Sequence, residues 1–275
     1  MELETLRVAA VQLQSQDNIE QNLDECRRLV SAARRDGAKL VVLPENFAYF
    51  GADETKHASA ERIGDARGKI QSALSEMARG AEAFLVAGGF PEASDDRARP
   101  FNTALAYGPD GALLGAYRKI HLFDVALQDG TNLSESSGTT PGEVDALVTF
   151  DIGRFRIGLS ICYDLRFPEL YRALVDRGAN VLLVPAAFTL HTGKDHWHTL
   201  LRARAIESQA FVIAAAQWGK HPRGRSTYGH SLVVDPWGAV IAQASDGVGI
   251  VTATLDLSYL EQVRVAVPCL SNRRL

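Results

Sequence analysis

The chain has 275 residues, with 29 lysines and arginines against 33 aspartates and glutamates for a formal charge of −4, and 46% of its residues are hydrophobic. That balance excludes a disordered chain, and without a basic block it leaves no electrostatic footprint for nucleic acid or an anionic membrane. The three cysteines, Cys26, Cys162 and Cys269, are too few and too scattered for a disulfide framework and fit a reducing compartment.

Met1-Glu2-Leu3-Glu4 lacks the basic and apolar regions of a secretory signal. No run approaches the roughly 18 apolar residues of a membrane span. The expectation is a cytoplasmic protein with no membrane attachment. In chain order, short apolar bursts suited to strands occupy residues 6–13, 40–43, 84–87, 103–107, 147–150, 156–161, 181–184, 211–216, 231–234, 240–242 and 250–255. Helical periodicity covers 19–35, with Gly37 at the C-terminal cap, then 70–79, 168–177 behind Pro168, 195–210 and 257–267. Early helices separate strands, as in βαβ units. Later strands follow one another across the turn signals Pro109-Asp110-Gly111, Ile152-Gly153 and Asp235-Pro236-Trp237-Gly238. No low-complexity linker or repeat divides the chain, so residues 1–275 read as one α/β domain with strands inside and helices outside.

Three residues stand where chemistry is usually placed. Cys162 follows an apolar strand and precedes a helix near Pro168, a geometry in which a helix N-terminus lowers a thiol pKa. The alternative is a buried structural cysteine, with even weight. Glu45 follows the buried strand 40–43, at the edge where α/β sites are built; alone it reads as a loop glutamate. Lys119, in Tyr117-Arg118-Lys119-Ile120-His121-Leu122, is either a solvent-face residue or a buried ammonium. Residues 153–160 lack the lysine of a phosphate loop, and His191, His196 and His198 do not follow a zinc spacing, so no metal is expected.

Taken together, Leu43-Pro44-Glu45-Asn46, the Lys119 segment, and Ile161-Cys162-Tyr163-Asp164-Leu165-Arg166-Phe167-Pro168-Glu169 resemble, in order and wide spacing, the three motifs of the nitrilase (carbon–nitrogen hydrolase) superfamily. The resemblance runs nearly end to end. It matches Glu135, in Ser134-Glu135-Ser136, to the family's second glutamate. Residues 196–197, 200–207, 228–231 and 235–238 resemble the amidase branch; Ala214-Ala215-Ala216-Gln217 with His221 and Tyr228-Gly229-His230 looks most like the deaminated glutathione amidases, with the omega-amidases as close neighbours. The resemblance implies a four-layer α-β-β-α sandwich, a homodimer or higher homo-oligomer, a small-molecule amide substrate and no cofactor.

Amide hydrolysis then assigns Cys162 as nucleophile, Glu45 as general base and Lys119 as the cation that stabilises the oxyanion together with the Tyr163 N–H. Glu135 orients Lys119 or substrate. For a substrate carboxylate the nearest cation in sequence is Arg166, weighed equally against a surface or subunit contact; Phe188, Thr189, His121 and His196 are further candidates for the pocket wall. The expected reaction is deaminated glutathione plus water giving 2-oxoglutarate and Cys-Gly. An omega-amidase releasing ammonia from 2-oxoglutaramate, a true nitrilase, a non-enzymatic binding protein and a metal hydrolase are the competing readings.

Overall fold

The structure, a computed structural model, describes residues 4–65, 67–126 and 132–274. The chain opens with β1 (Thr5–Leu13), α1 (Ile19–Arg35), β2 (Leu40–Leu43), α2 (Asp53–Lys56) and α3 (Lys69–Ala81). Strands β3 (Phe84–Glu92), β4 (Phe101–Tyr107), β5 (Leu113–Arg118), β6 (Asp124–Ala126), β7 (Asn132–Ser134), β8 (Thr149–Ile152) and β9 (Phe155–Leu159) follow. Then come α4 (Pro168–Asp176), β10 (Val181–Leu183), α5 (Leu190–Ser208), β11 (Phe211–Ala214), β12 (Ala216–Lys220) and β13 (Ser226–Tyr228). The chain closes with β14 (Leu232–Val234), β15 (Val240–Gln243), β16 (Gly249–Asp256) and α6 (Leu257–Ala266).

Two mixed sheets form the interior. The first runs β13-β12-β1-β2-β3-β4-β5, with β16 antiparallel to β1; the second runs β15-β14-β11-β10-β9-β8. Period-2 alternation decides how they stack. In β1, Leu6, Val8 and Ala10 face the core shared with the second sheet, while Ala9, Val11 and Leu13 face a separate core under α1 and α3. In β2, Leu40 and Val42 point one way, Val41 and Leu43 the other. Leu170, Tyr171 and Leu174 of α4 and Trp197, Leu201 and Ala205 of α5 belong to the core of the second sheet. The layers are therefore helices, sheet, sheet, helices, which is the sandwich the resemblance implies.

Local signals explain most boundaries. Asn18 caps α1 by accepting from the Gln21 N–H, and Gly37 follows at φ +83°. Asp235 Oδ1 accepts from the Trp237 and Ala239 N–H groups and closes the β14–β15 turn.

Two expectations are corrected. Helix α5 begins at Leu190, not near 195, because Thr189 caps it by accepting from the Thr192 N–H. Gly193 is no helix breaker here; a Cβ at that position would collide with Tyr228 of β13, so the glycine lets the hairpin lie against the helix. The run 211–216 is also not one strand. It breaks at Ala215, where the chain leaves the second sheet as β11 and enters the first as β12. Both halves are fully buried, so composition carries no mark of the break.

Candidate active site

The topology brings five strand ends to one edge. Strands β2 and β3 are parallel, and β4 is antiparallel to both β3 and β5. Glu45 lies just beyond β2, Lys119 just beyond β5, and Asn102 at the start of the antiparallel β4. In the second sheet, β9 and β10 are parallel, and Cys162 follows β9 while Ala187 follows β10. The Cys162 N–H donates to the Pro185 carbonyl at 2.9 Å, joining these two ends. The Ala187 N–H donates to Glu45 Oε2 at 3.1 Å, joining the two sheets. Glycines allow this approach. A Cβ at Gly88 would collide with Pro185, and one at Gly89 (φ +64°) would lie 2.5 Å from Asn102 Oδ1 and 2.8 Å from Glu45 Cγ.

A buried ionic network forms the floor. Lys119 is 2% exposed, and its Nζ donates to Glu45 Oε1 at 3.0 Å and to Glu135 Oε2 at 2.8 Å. Asn102 Nδ2 donates to the same two carboxylates, at 2.9 Å to Glu45 and 3.0 Å to Glu135. The Phe123 N–H adds a 2.7 Å bond to Glu135 Oε2. Burial works against the Lys119 charge, but Glu135 and Glu45 outweigh it and hold the ammonium well above its ordinary pKa. For Glu135, burial raises the carboxyl, yet Lys119, then Lys56, then the hydrogen bonds bring it down to about 2. The lysine is thus a fixed cation flanked by two carboxylates. Asn102 was not singled out in the sequence; an amide at the first positions of an apolar strand carries no signal of its own.

The thiol behaves otherwise than expected. Cys162 opens a 3₁₀ turn, Cys162–Arg166, and α4 starts only at Pro168. Burial, then the neighbouring Glu45, pushes the Cys162 thiol well above its ordinary pKa, with Lys119 opposing. The lowering expected from a helix end is outweighed here by burial and by the neighbouring Glu45. Cys162 also sits at φ +48°, a left-handed conformation that costs a non-glycine residue of order 1–3 kcal/mol and must be held by its surroundings.

Asp164 supplies that hold. Fully buried, it accepts at Oδ2 from the Ile161 N–H (2.8 Å) and the Tyr117 hydroxyl (2.7 Å). At Oδ1 it accepts from the His121 N–H (3.2 Å) and Nδ1–H (2.7 Å). Burial and the Asp164 charge push the Tyr117 phenol well up, so it remains the donor. Asp164 therefore ties the Cys162 turn to residues two before and two after Lys119. Asp164→Asn keeps the volume but removes the charge and half of the acceptors. It is expected to cost about 2–4 kcal/mol of stability and to lower kcat more than it raises KM; thermal unfolding and steady-state kinetics on the same preparation check both.

Above this floor opens a cavity of about 850 Å³, lined by Glu45, Asn102, Lys119, Glu135 and Cys162 at its base. Thr189 lines its wall, and also lines a small adjoining recess with Phe188, Tyr163 and Arg166. Arg166 does not reach the main cavity; its guanidinium lies beside His196 Nδ1 (3.2 Å) and over the Phe188 ring (5.3 Å). His121 and His196 are likewise absent from the cavity lining. His121 stacks on Phe167 with ring centroids 3.7 Å apart. The cavity instead receives Lys56, Lys194, Arg223 and Arg225, none of which the sequence set apart.

A family model described as carbon–nitrogen hydrolase matches residues 7–265. The chain belongs to the carbon–nitrogen hydrolase family. This carbon–nitrogen hydrolase is 44% identical over 266 residues to a deaminated glutathione amidase of Synechocystis sp., covering 96% of this chain and 97% of that one. The crystal structure of the C. elegans NitFhit protein superposes with a TM-score of 0.90 at 40% identity, over 100% of this chain and 66% of that longer one. Saccharomyces cerevisiae Nit3, a member of branch 10 of the nitrilase superfamily, superposes with a TM-score of 0.88 at 32% identity, over 100% of this chain and 98% of that one. Among the described residues, no helix of this carbon–nitrogen hydrolase is long and apolar enough to cross a membrane.

Proposed function

We propose that this carbon–nitrogen hydrolase is a thiol amidase that cleaves deaminated glutathione into 2-oxoglutarate and the dipeptide Cys-Gly. The observation that carries the reading is the grouping of the Cys162 thiol, the Glu45 carboxylate and the buried Lys119 ammonium at the base of one cavity. The name of the Synechocystis relative supplies the substrate.

Glu45 takes the thiol proton as Cys162 sulfur attacks the amide carbonyl, and the tetrahedral oxyanion is met by Lys119 and the Tyr163 N–H. The Cys162 N–H is committed to Pro185, so it is no candidate for that role. Collapse of the intermediate breaks the C–N bond; Glu45 gives its proton to the leaving amine, and a thioester remains on Cys162. Glu45 then activates water, which hydrolyses the thioester to the free acid and restores the thiol. Glu135 and Asn102 are positioning residues that fix Lys119 and Glu45.

The same reading includes a cytoplasmic homo-oligomer. The free thiols of Cys26, Cys162 and Cys269 suit a reducing compartment. Exposed Trp237 (58%) and Val265 (81%) offer apolar surface near α5 and on α6 for subunit contact.

The substrate test compares deaminated glutathione, 2-oxoglutaramate and an aliphatic nitrile by product analysis. Release of Cys-Gly with the highest kcat/KM is the expected result. Faster release of ammonia from 2-oxoglutaramate would make the protein an omega-amidase instead.

A further inference from the structure

The cavity differs sharply in charge from the rest of the molecule. The whole chain carries a formal charge of −4, yet among the described residues lining the cavity there are five cations, Lys56, Lys119, Lys194, Arg223 and Arg225, against two carboxylates, Glu45 and Glu135. Both carboxylates are already hydrogen-bonded to Lys119. A concave, partly desolvated surface of one sign concentrates ligands of the other.

Besides Lys119 in the floor, the cations fall into two groups. Lys56 acts on Glu135, which places it on that side of the floor. Lys194 lies in the first turns of α5, and Arg223 and Arg225 on the β12–β13 turn. An isolated bridge between Thr189 and Thr227 brings those two segments together as one wall. That wall is braced: His221 is bonded at 2.7 Å to both the Ser15 carbonyl and the Thr227 hydroxyl. Arg225 Nη1 donates to the Gly51 carbonyl at 3.3 Å, and its guanidinium lies over Phe50 at 5.7 Å.

These braces give the wall a direction. In amide cleavage the leaving nitrogen must reach Glu45 to receive its proton, while the acyl group stays on Cys162. The loop following Glu45 runs along the cavity to Phe50 and Gly51, where Arg225 meets it. Lys194, Arg223 and Arg225 line the same cavity as this loop. We infer that these three residues form a subsite for a carboxylate on the leaving amine, so that the enzyme selects amides whose amine portion is a carboxylate-terminated amino acid or short peptide. The inference rests on the proposed amidase reaction and deepens it. The volume agrees, since 850 Å³ is in the upper part of the range for ligand sites and exceeds what an amide that releases only ammonia needs.

The experiment measures kcat and KM on deaminated glutathione and on its C-terminal carboxamide, for the wild type, Arg223→Gln, and Lys194→Gln/Arg223→Gln. Both substituted residues are exposed, and neither substitution touches the Arg225 brace. With deaminated glutathione the double variant is expected to raise KM at least about tenfold, with kcat changed far less, because a uniform binding contact is lost. With the carboxamide, the wild type already shows the raised KM, and the variants add less than about twofold. An equal loss on both substrates, or no loss on either, overturns the subsite. Should the wild type fail to cleave deaminated glutathione, the substrate reading falls. The subsite is then read from inhibition of whichever amide is turned over: Cys-Gly must inhibit more strongly than Cys-Gly amide, and the gap must close in the double variant; equal inhibition by the two overturns it.

Discussion

Cys162→Ala is expected to lose amide hydrolysis by at least about 10⁴-fold while remaining folded. The side chain removed is small, and the turn around it is held by other groups: the Cys162 N–H on Pro185, Asp164 on Ile161 and Tyr117, and Arg204 Nε on the Leu165 carbonyl at 3.0 Å. None of these passes through sulfur. What disappears is, among the described residues, the one thiol at the cavity base next to Glu45; Cys26 is buried in α1 and Cys269 lies in the exposed tail. Cys-Gly release under saturating substrate, with far-ultraviolet circular dichroism as the folding control, checks the expectation. Turnover within tenfold of wild type would remove Cys162 from the mechanism.

Lys119→Met carries the second large effect, on both activity and stability. It leaves two carboxylates at the buried floor with no ammonium between them, which is expected to cost about 3–5 kcal/mol of stability. Loss of the oxyanion partner lowers kcat by about 10²–10³ on top of that. The double variant Lys119→Met/Glu135→Gln removes one uncompensated charge and is expected to recover much of the stability but none of the kcat. The pH dependence reverses in a defined way. In the wild type, Glu135 is depressed to about 2, so its contribution is present above the ordinary carboxyl pKa of 4.5 and fades as pH falls toward 2. Without Lys119 the largest cause that lowers that carboxyl is gone and burial is opposed by Lys56 and the Asn102 hydrogen bond, so the carboxyl rises and the variant's deficit against the wild type narrows as pH falls. Urea midpoints at pH 5 and pH 7 check the sign: Lys119→Met is more stable at pH 5, relative to wild type, than at pH 7.

Much of this was legible in the sequence because strand ends are legible. Glu45 follows a fully apolar strand and Cys162 a largely apolar one, and a β-sheet places such residues at its edge regardless of what lies between. Period-2 alternation in β1 and β2 fixed which side chains enter which core. The misses share a cause. Lys56, Lys194, Arg223 and Arg225 sit on short turns or short polar helix stretches, where a charged residue is the ordinary choice for solvent; only their place on the cavity wall distinguishes them. Arg166 illustrates the converse. Its nearness to Cys162 in sequence suggested the substrate pocket, but the 3₁₀ turn carries it to His196 and the side recess. The break at Ala215 was hidden because both sheets want the same small apolar residues there.

That crossing at Ala215 bears on when during folding the chemistry comes into being. Glu45 and Lys119 are 74 residues apart in the chain, and Glu45 and Ala187 are separated by 142. Contacts of such range close late, since loop entropy must be overcome before they reward the chain. With β11 in one sheet and β12 in the other, the crossing at Ala215 ties the two sheets together. Cys162 hangs from the second sheet and Glu45 from the first, so the two side chains meet only where the sheets are packed together.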